Sequence, residues 1–292
     1  MNIGIIYTAL SGVLYGSIGY FGATLMGNGF SVSNLLLWRF LLSAILLLPL
    51  FVFWIKKRPD LDMKALARLF ILGAVFYGGS TAMYFESSRS IGTGLAMVIF
   101  FAYPIVVVFL SAFFHKTPFS LITFISLILI VLGCTLIAFG EKSSFDLYGI
   151  TLAILSGIGY ATYVFFSKQA SKSVAPTLAT FVVCLGGTAA FIPAALLFDG
   201  FINVPSTPFL WTNAILFSLM GTVLPVMLML LGLKTISASK ASIISVLEPV
   251  TTLGVGALIL SESVSSLQYV GALIILCSAI FVQLEKETDA RR

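Results

Sequence analysis

Apolar runs long enough to cross a bilayer recur along almost the whole chain, from Gly4 to Leu284, and only short polar stretches separate them. At about 20 residues per crossing, they resolve into ten predicted helices, over residues 4–26, 34–55, 66–87, 92–114, 120–140, 147–168, 177–198, 209–233, 240–260 and 266–284. Hydrocarbon offers the backbone no hydrogen bonds, so these runs must close their own bonds as helices. An all-α integral membrane protein follows, with few residues left for an extramembrane domain. Composition agrees: 59% of residues are hydrophobic and 9% charged, against about one quarter charged in a soluble domain. The first run has no basic residue before it and no small-residue cleavage site, which reads as a retained helix and not as a signal peptide.

The net charge of +5 is spread over short loops without interleaved aromatics, so no nucleic-acid partner is expected. The charge orients the chain instead. Lys56, Lys57, Arg58, Lys64, Arg68, Lys116, Lys168, Lys172, Lys234, Lys240, Lys286, Arg291 and Arg292 fall on one side, which is thirteen of the 16 basic residues. Only Arg89 and Lys142 fall on the other, and Arg39 lies within a helix. Both termini are therefore expected to be cytoplasmic. Trp38, Trp54 and Trp211 sit near predicted helix ends, where amphipathic rings belong. Cys134, Cys184 and Cys277 lie inside apolar runs without ligand-like spacing and read as packing residues. His115, the only histidine, has no partner ligands, so neither a metal nor another cofactor is expected. HExxH and GxSxG are absent and no carboxylates cluster at a membrane face, which argues against an enzyme. No polar filter or charge ring suggests a channel.

The chain repeats itself. A shift of 145 positions lays Gly4, Ile5, Leu10, Ser11, Gly12 and Tyr15 on Gly149, Ile150, Leu155, Ser156, Gly157 and Tyr160. The same shift lays Arg89 on Lys234, Ile91 on Ile236, Ala96 on Ala241 and Pro104 on Pro249. The expected organisation is a repeat over 1–145 and a second over 146–292. Five helices per repeat is an odd number, so the second half enters the membrane inverted, as in many secondary transporters whose site lies between the halves near the midplane.

Those halves, the WRF around Arg39, AMVIFFAYP in the fourth helix and ASIISVLEPVTTLGVGALILSE in the ninth resemble the EamA-type transporters of the drug/metabolite transporter superfamily. The resemblance spans nearly the whole chain. It departs from even symmetry where Tyr103 stands opposite Glu248 and Thr117 opposite Glu262. It implies a multi-pass carrier of the bacterial inner membrane, often an exporter of amino acids and other small metabolites. Importers and exporters of lipophilic cations are the alternatives. Monomer and dimer are both compatible with the chain.

Glu248 is the most conspicuous candidate residue. A carboxylate about 12 Å into a helix, at about 1.5 Å per residue, must face protein or water. It could bind a substrate cation, carry a coupling proton, or bond backbone groups freed by Pro249. Tyr103 is its counterpart. Pro104 and Pro249 each remove a backbone donor and are expected to kink their helices. Arg39 could contact a substrate carboxylate, act as a gate or snorkel to headgroups beside Trp38; Glu86, at similar depth, could pair with it. Tyr15 and Tyr160 match in the repeat at midplane depth, with Tyr163, Tyr77 and Phe100 as neighbours that could wall a site for a small organic solute. Gly12, Gly16 and Gly19 form a small-residue ridge that suits close helix packing. Lys240 is expected to orient its loop, and Glu262 to cap the outer end of the ninth helix.

Overall fold

The computed structural model describes residues 2–57, 62–116, 120–139, 144–170, 173–259 and 263–284, and for 54–57 the backbone alone. The expectations at Arg58, Thr117, Lys142, Lys172, Glu262, Lys286, Arg291 and Arg292, and those for the side chains of Trp54, Lys56 and Lys57, lie outside the described residues.

Among the described residues the chain is helical, without strands. Eight helices are long and apolar enough to span a membrane: α1 Ile3–Gly27, α2 Val32–Phe53, α3 Met63–Ile91, α4 Thr93–His115, α6 Leu147–Ala170, α7 Pro176–Asp199, α8 Pro208–Leu233 and α9 Ala238–Ile259. Two shorter apolar helices complete the set, α5 Leu121–Ile137 and α10 Ser266–Phe281. Their starts fall where short polar residues can take up orphan backbone donors. Asp62 accepts from the N–H of Ala65, Ser120 from Ile122, Thr207 from Leu210, Ser237 from Lys240 and Ser265 from Gln268. Gly92 makes the tight turn between α3 and α4 at φ 90°, a left-handed conformation that only glycine adopts without strain.

Three helices are broken rather than kinked. α1 is cut after Tyr15 and resumes at Ile18, α4 is cut after Phe100 and resumes at Tyr103, and α9 is cut after Ser245 and resumes at Glu248. Pro104 and Pro249 occupy the second position of a resumed half-helix, where a missing N–H leaves no bond unmade. The kinks expected there are full interruptions for that reason. The breaks in α4 and α9 lie 145 residues apart, as do the cap pairs Asp62 and Thr207, Gly92 and Ser237, and Ser120 and Ser265. α3 and α8 each contain a π-helical segment, Leu72–Gly78 and Leu219–Val223.

Helices of the first five pack on helices of the last five. Ser11 donates to the Pro225 carbonyl at 2.7 Å, and Ser156 donates to the Ser80 carbonyl, also at 2.7 Å. The ridge on α1 lies against α9: a methyl group at Gly12 would come within 2.6 Å of the Ser245 carbonyl oxygen, and one at Gly16 within 2.6 Å of Thr251 Cβ. α2 and α7 stack Phe40 on Phe191 and Phe51 on Phe181, with ring centroids 5.8 and 4.2 Å apart.

The bundle has two polar ends. At the near end Asn2 reaches the Thr235 carbonyl, Lys168 the Ile236 carbonyl and Ser173 the Asp62 carboxylate. At the far end Asn34 bonds Asp199 and the Phe201 carbonyl, while Trp38 donates to the Asn203 carbonyl at 2.6 Å and packs edge-on against Trp211. Ser90 bonds Asp146 there as well. Two expectations change. Lys240 is buried, 5% exposed, because the half-helix that carries it packs between α1 and α4. Cys277 is exposed on α10, unlike the buried Cys134 and Cys184.

Candidate functional site

The three breaks meet at one small, partly open cavity of about 40 Å³, room for a few water molecules. Its lining includes a residue beside each break: Tyr15 and Ile18 of α1, Phe100 of α4 and Glu248 of α9. Arg39 of α2 and Tyr160 of α6 complete two walls, and α3 supplies Tyr77, Ser80, Thr81, Tyr84 and Phe85. Broken helices are tolerated at membrane depth where their freed backbone lines a cavity, and the arrangement fits that rule.

Arg39 is held from both sides. Its Nε donates to Thr222 Oγ1 at 2.6 Å, and Nη2 donates to the Tyr77 hydroxyl at 2.8 Å and the Gly221 carbonyl at 2.5 Å. Tyr77 belongs to the π-helical segment of α3, and Gly221 and Thr222 to that of α8; Tyr77 and Thr222 are 145 residues apart. The guanidinium also lies 5.1 to 5.6 Å from the ring centroids of Phe217, Phe40 and Tyr77, a cation–π cage. The Nη1 atom is buried with no hydrogen-bond partner.

Arg39 is thus neither at the headgroups nor paired with Glu86. It is 1% exposed, whereas Glu86 faces outward and pairs with Arg89 at 3.2 Å, one helical turn away. The sequence placed Arg39 and Glu86 at one depth but could not show that they occupy different faces.

Glu248 is half-buried at the first position of its resumed half-helix, where the partial positive charge of a helix start favours an anion. Among the described residues no hydrogen bond reaches its carboxylate. The Tyr15 and Tyr77 hydroxyls lie 3.2 Å apart. Tyr77 stacks on Tyr163 with centroids 4.8 Å apart, and Tyr160 stands edge-on to Tyr103 at 4.8 Å.

The structure therefore brings Glu248, Arg39, Tyr15, Tyr77, Tyr160 and Phe100 to one cavity, but not every candidate. Tyr103 and Tyr163, 2% and 1% exposed, stand behind the wall. The Tyr103 hydroxyl donates to the Ser242 carbonyl at 3.0 Å and lies 2.5 Å from Ser245 Oγ. Pro104 and Pro249 shape the breaks without lining the cavity, and Glu86 is remote from it in contact. Sequence reasoning missed Thr222, Ser80, Thr81, Tyr84, Phe85 and Ile18. Thr222 alone carried a signal, its 145-residue spacing from Tyr77.

The cavity lies on the far-end side of the breaks. Toward the near end, the halves of α4 and α9 are closed on each other by Tyr103 and by Ser239, which donates to Ser111 at 3.1 Å. Toward the far end, no hydrogen bond among the described residues joins Thr93–Phe100 to Glu248–Ile259.

The EamA-like transporter family model matches residues 2–139 and 147–284. An uncharacterized transporter of Archaeoglobus fulgidus is 28% identical, with 98% of both chains covered. The threonine/homoserine exporter RhtA of Salmonella typhimurium is 25% identical over 76% of this chain and 72% of its own. A solved crystal structure superposes with a TM-score of 0.80 over 96% of both chains at 14% identity, which is a likeness of fold.

Proposed function

The chain belongs to the EamA-like transporter family, and from that premise we propose that it is an exporter of a small zwitterionic metabolite, an amino acid or a related solute. It works by alternating access between two inverted five-helix repeats, 1–145 and 146–292. Its near end, with both termini, faces the cytoplasm of a bacterial inner membrane. One observation carries the substrate reading. A cavity where three helix breaks meet is lined by a caged cation, Arg39, whose buried Nη1 has no hydrogen-bond partner, and by an unbonded carboxylate, Glu248, between aromatic walls. A planar guanidinium suits a carboxylate, and Glu248 suits an ammonium group. The guanidinium disfavours a lipophilic cation that lacks an anionic group. The matching breaks of α4 and α9, the matching caps, and the crossed contacts of Ser11 and Ser156 support the inverted arrangement. The distant likeness to a threonine/homoserine exporter agrees with the solute class and direction.

Counterflow in proteoliposomes tests the proposal. An amino acid should exchange saturably, while its amide and its deaminated acid should each compete poorly. Equal transport of all three, or exchange of lipophilic cations alone, would exclude the zwitterion reading.

A further inference from the structure

The near-end closure shows what the opposite closure must look like if the halves exchange conformations, and this inference rests on the inverted-repeat reading above. Each near-end contact has a counterpart 145 positions away. Ser239 on Ser111 corresponds to Gly94 against Gly256. Two glycines let helices approach closely, so the far side is built to shut there. Tyr103 against the Ser242 carbonyl and Ser245 hydroxyl corresponds to Glu248 against the Met97 carbonyl and the Phe100 ring.

That second contact cannot form with an ionised carboxylate. The Met97 carbonyl is an acceptor already bonded by the Phe101 N–H at 2.9 Å, and a phenyl ring offers no conventional donor. A carboxylate there would face another oxygen and lose its water at once. A carboxylic acid instead donates its proton to the carbonyl, as the Tyr103 hydroxyl does at the near end.

We propose that Glu248 is the coupling-proton site of this carrier, and that its carboxyl must take a proton from the far side before the cavity can close on Met97 and Phe100. A solute ammonium group seated on Glu248 neutralises it equally well. The empty, ionised carrier is therefore held open toward the far side, and each return is made with either a proton or a solute aboard, which is the logic of exchange.

The other groups around Glu248 do not replace the proton. Tyr15 from α1, Tyr77 and Tyr84 from α3 and Tyr160 from α6 face the cavity as neutral phenols. Arg39 from α2 faces it as a cation, but two of its nitrogens are committed to Thr222, Tyr77 and Gly221.

Paired spin labels give the test. One pair, at Thr93 and Leu258, spans the far side; the other, at Phe113 and Ser237, spans the near side. The protein keeps its native Glu248, and Glu248→Gln and Glu248→Asp are made in the same background. As pH falls, the far pair should shorten and the near pair lengthen, with the population ratio changing about tenfold per pH unit while one carboxyl titrates. Glu248→Gln should hold the low-pH distances at every pH, and Glu248→Asp should restore the titration. If the two pairs move oppositely with solute but ignore both pH and Glu248→Gln, the proton site is wrong and alternating access stands. If they never move oppositely under any condition, the inverted-repeat reading fails and takes this inference with it.

Discussion

Gly12 and Gly157 occupy matching positions 145 residues apart, yet they should respond very differently to the same added methyl group. At Gly12 the new Cβ would lie 2.6 Å from the Ser245 carbonyl oxygen and 3.2 Å from both Ser245 C and Cα. All three are backbone atoms beside the break in α9, so no side chain can rotate away. Reaching ordinary contact near 3.4 Å requires α1 and α9 to separate by about 0.8 Å. Overpacking of this kind costs about 1–3 kcal/mol. At Gly157 the closest atom is the Phe100 carbonyl oxygen at 3.3 Å, a gap already near contact distance. There the helix-propensity gain of alanine, about 0.5–1 kcal/mol, should dominate. Gly12→Ala should therefore unfold earlier by several degrees, at about 2–4 °C per kcal/mol, and Gly157→Ala should be neutral or stabilised. Thermal unfolding of both variants in one lipid or detergent, followed by tryptophan fluorescence, reads the difference. Equal shifts, or a Gly12 variant as stable as the parent, would refute the packing argument.

Arg39→Lys should lower stability by about 1.5–3 kcal/mol, one charge-assisted bond, because a single ammonium cannot hold Thr222, Tyr77 and Gly221 together. Saturable counterflow should be lost even where folded protein is recovered, and normal flux would count against the cage. Asp62 and Asp146, at the exposed starts of α3 and α6, are held below the usual carboxylate range. For Asp62 the main cause is the Ala65 N–H, followed by Ser173; for Asp146 it is the Ser90 hydroxyl, followed by the Gly149 N–H. Their stabilisation is complete above the unfolded value of about 3.9 and is lost as pH falls through the lowered folded values. Amide protection factors at the first turns of α3 and α6, taken relative to the intrinsic exchange rate at each pH, should fall in that acid window alone, and a fall already at pH 6 would contradict the assignment.

Much of the fold was legible because each crossing announces itself by length and apolarity. The predicted helices coincide with the observed ones to within a few residues, and the 145-residue shift that aligned Pro104 with Pro249 also aligns their helix breaks. What could not be read was local geometry. A proline signals a lost donor but does not distinguish a kink from an interruption, and α1 breaks after Tyr15 without any proline. Nor do π-helical segments, which turn Tyr77 and Thr222 toward Arg39, have a composition that marks them. Glu248 and Arg39 stood out because charge in hydrocarbon is costly, whereas Thr81 and Tyr84 resemble any polar or aromatic residue of a packed helix.

The cage around Arg39 also bears on how the chain is made. Two of its three hydrogen-bond partners, Gly221 and Thr222, lie 182 and 183 residues downstream. At about 5–20 residues per second, α2 would wait roughly 10–40 s before α8 is synthesised. During that interval an arginine meant for the interior has Tyr77 alone of the three. Chains stopped before Leu219 should therefore keep Arg39 at a headgroup layer or beside an insertion factor, detectable by site-specific crosslinking at that position. Assembly would then be timed by the slowest partner to arrive, and the first five helices would complete their packing only as the last five enter the membrane.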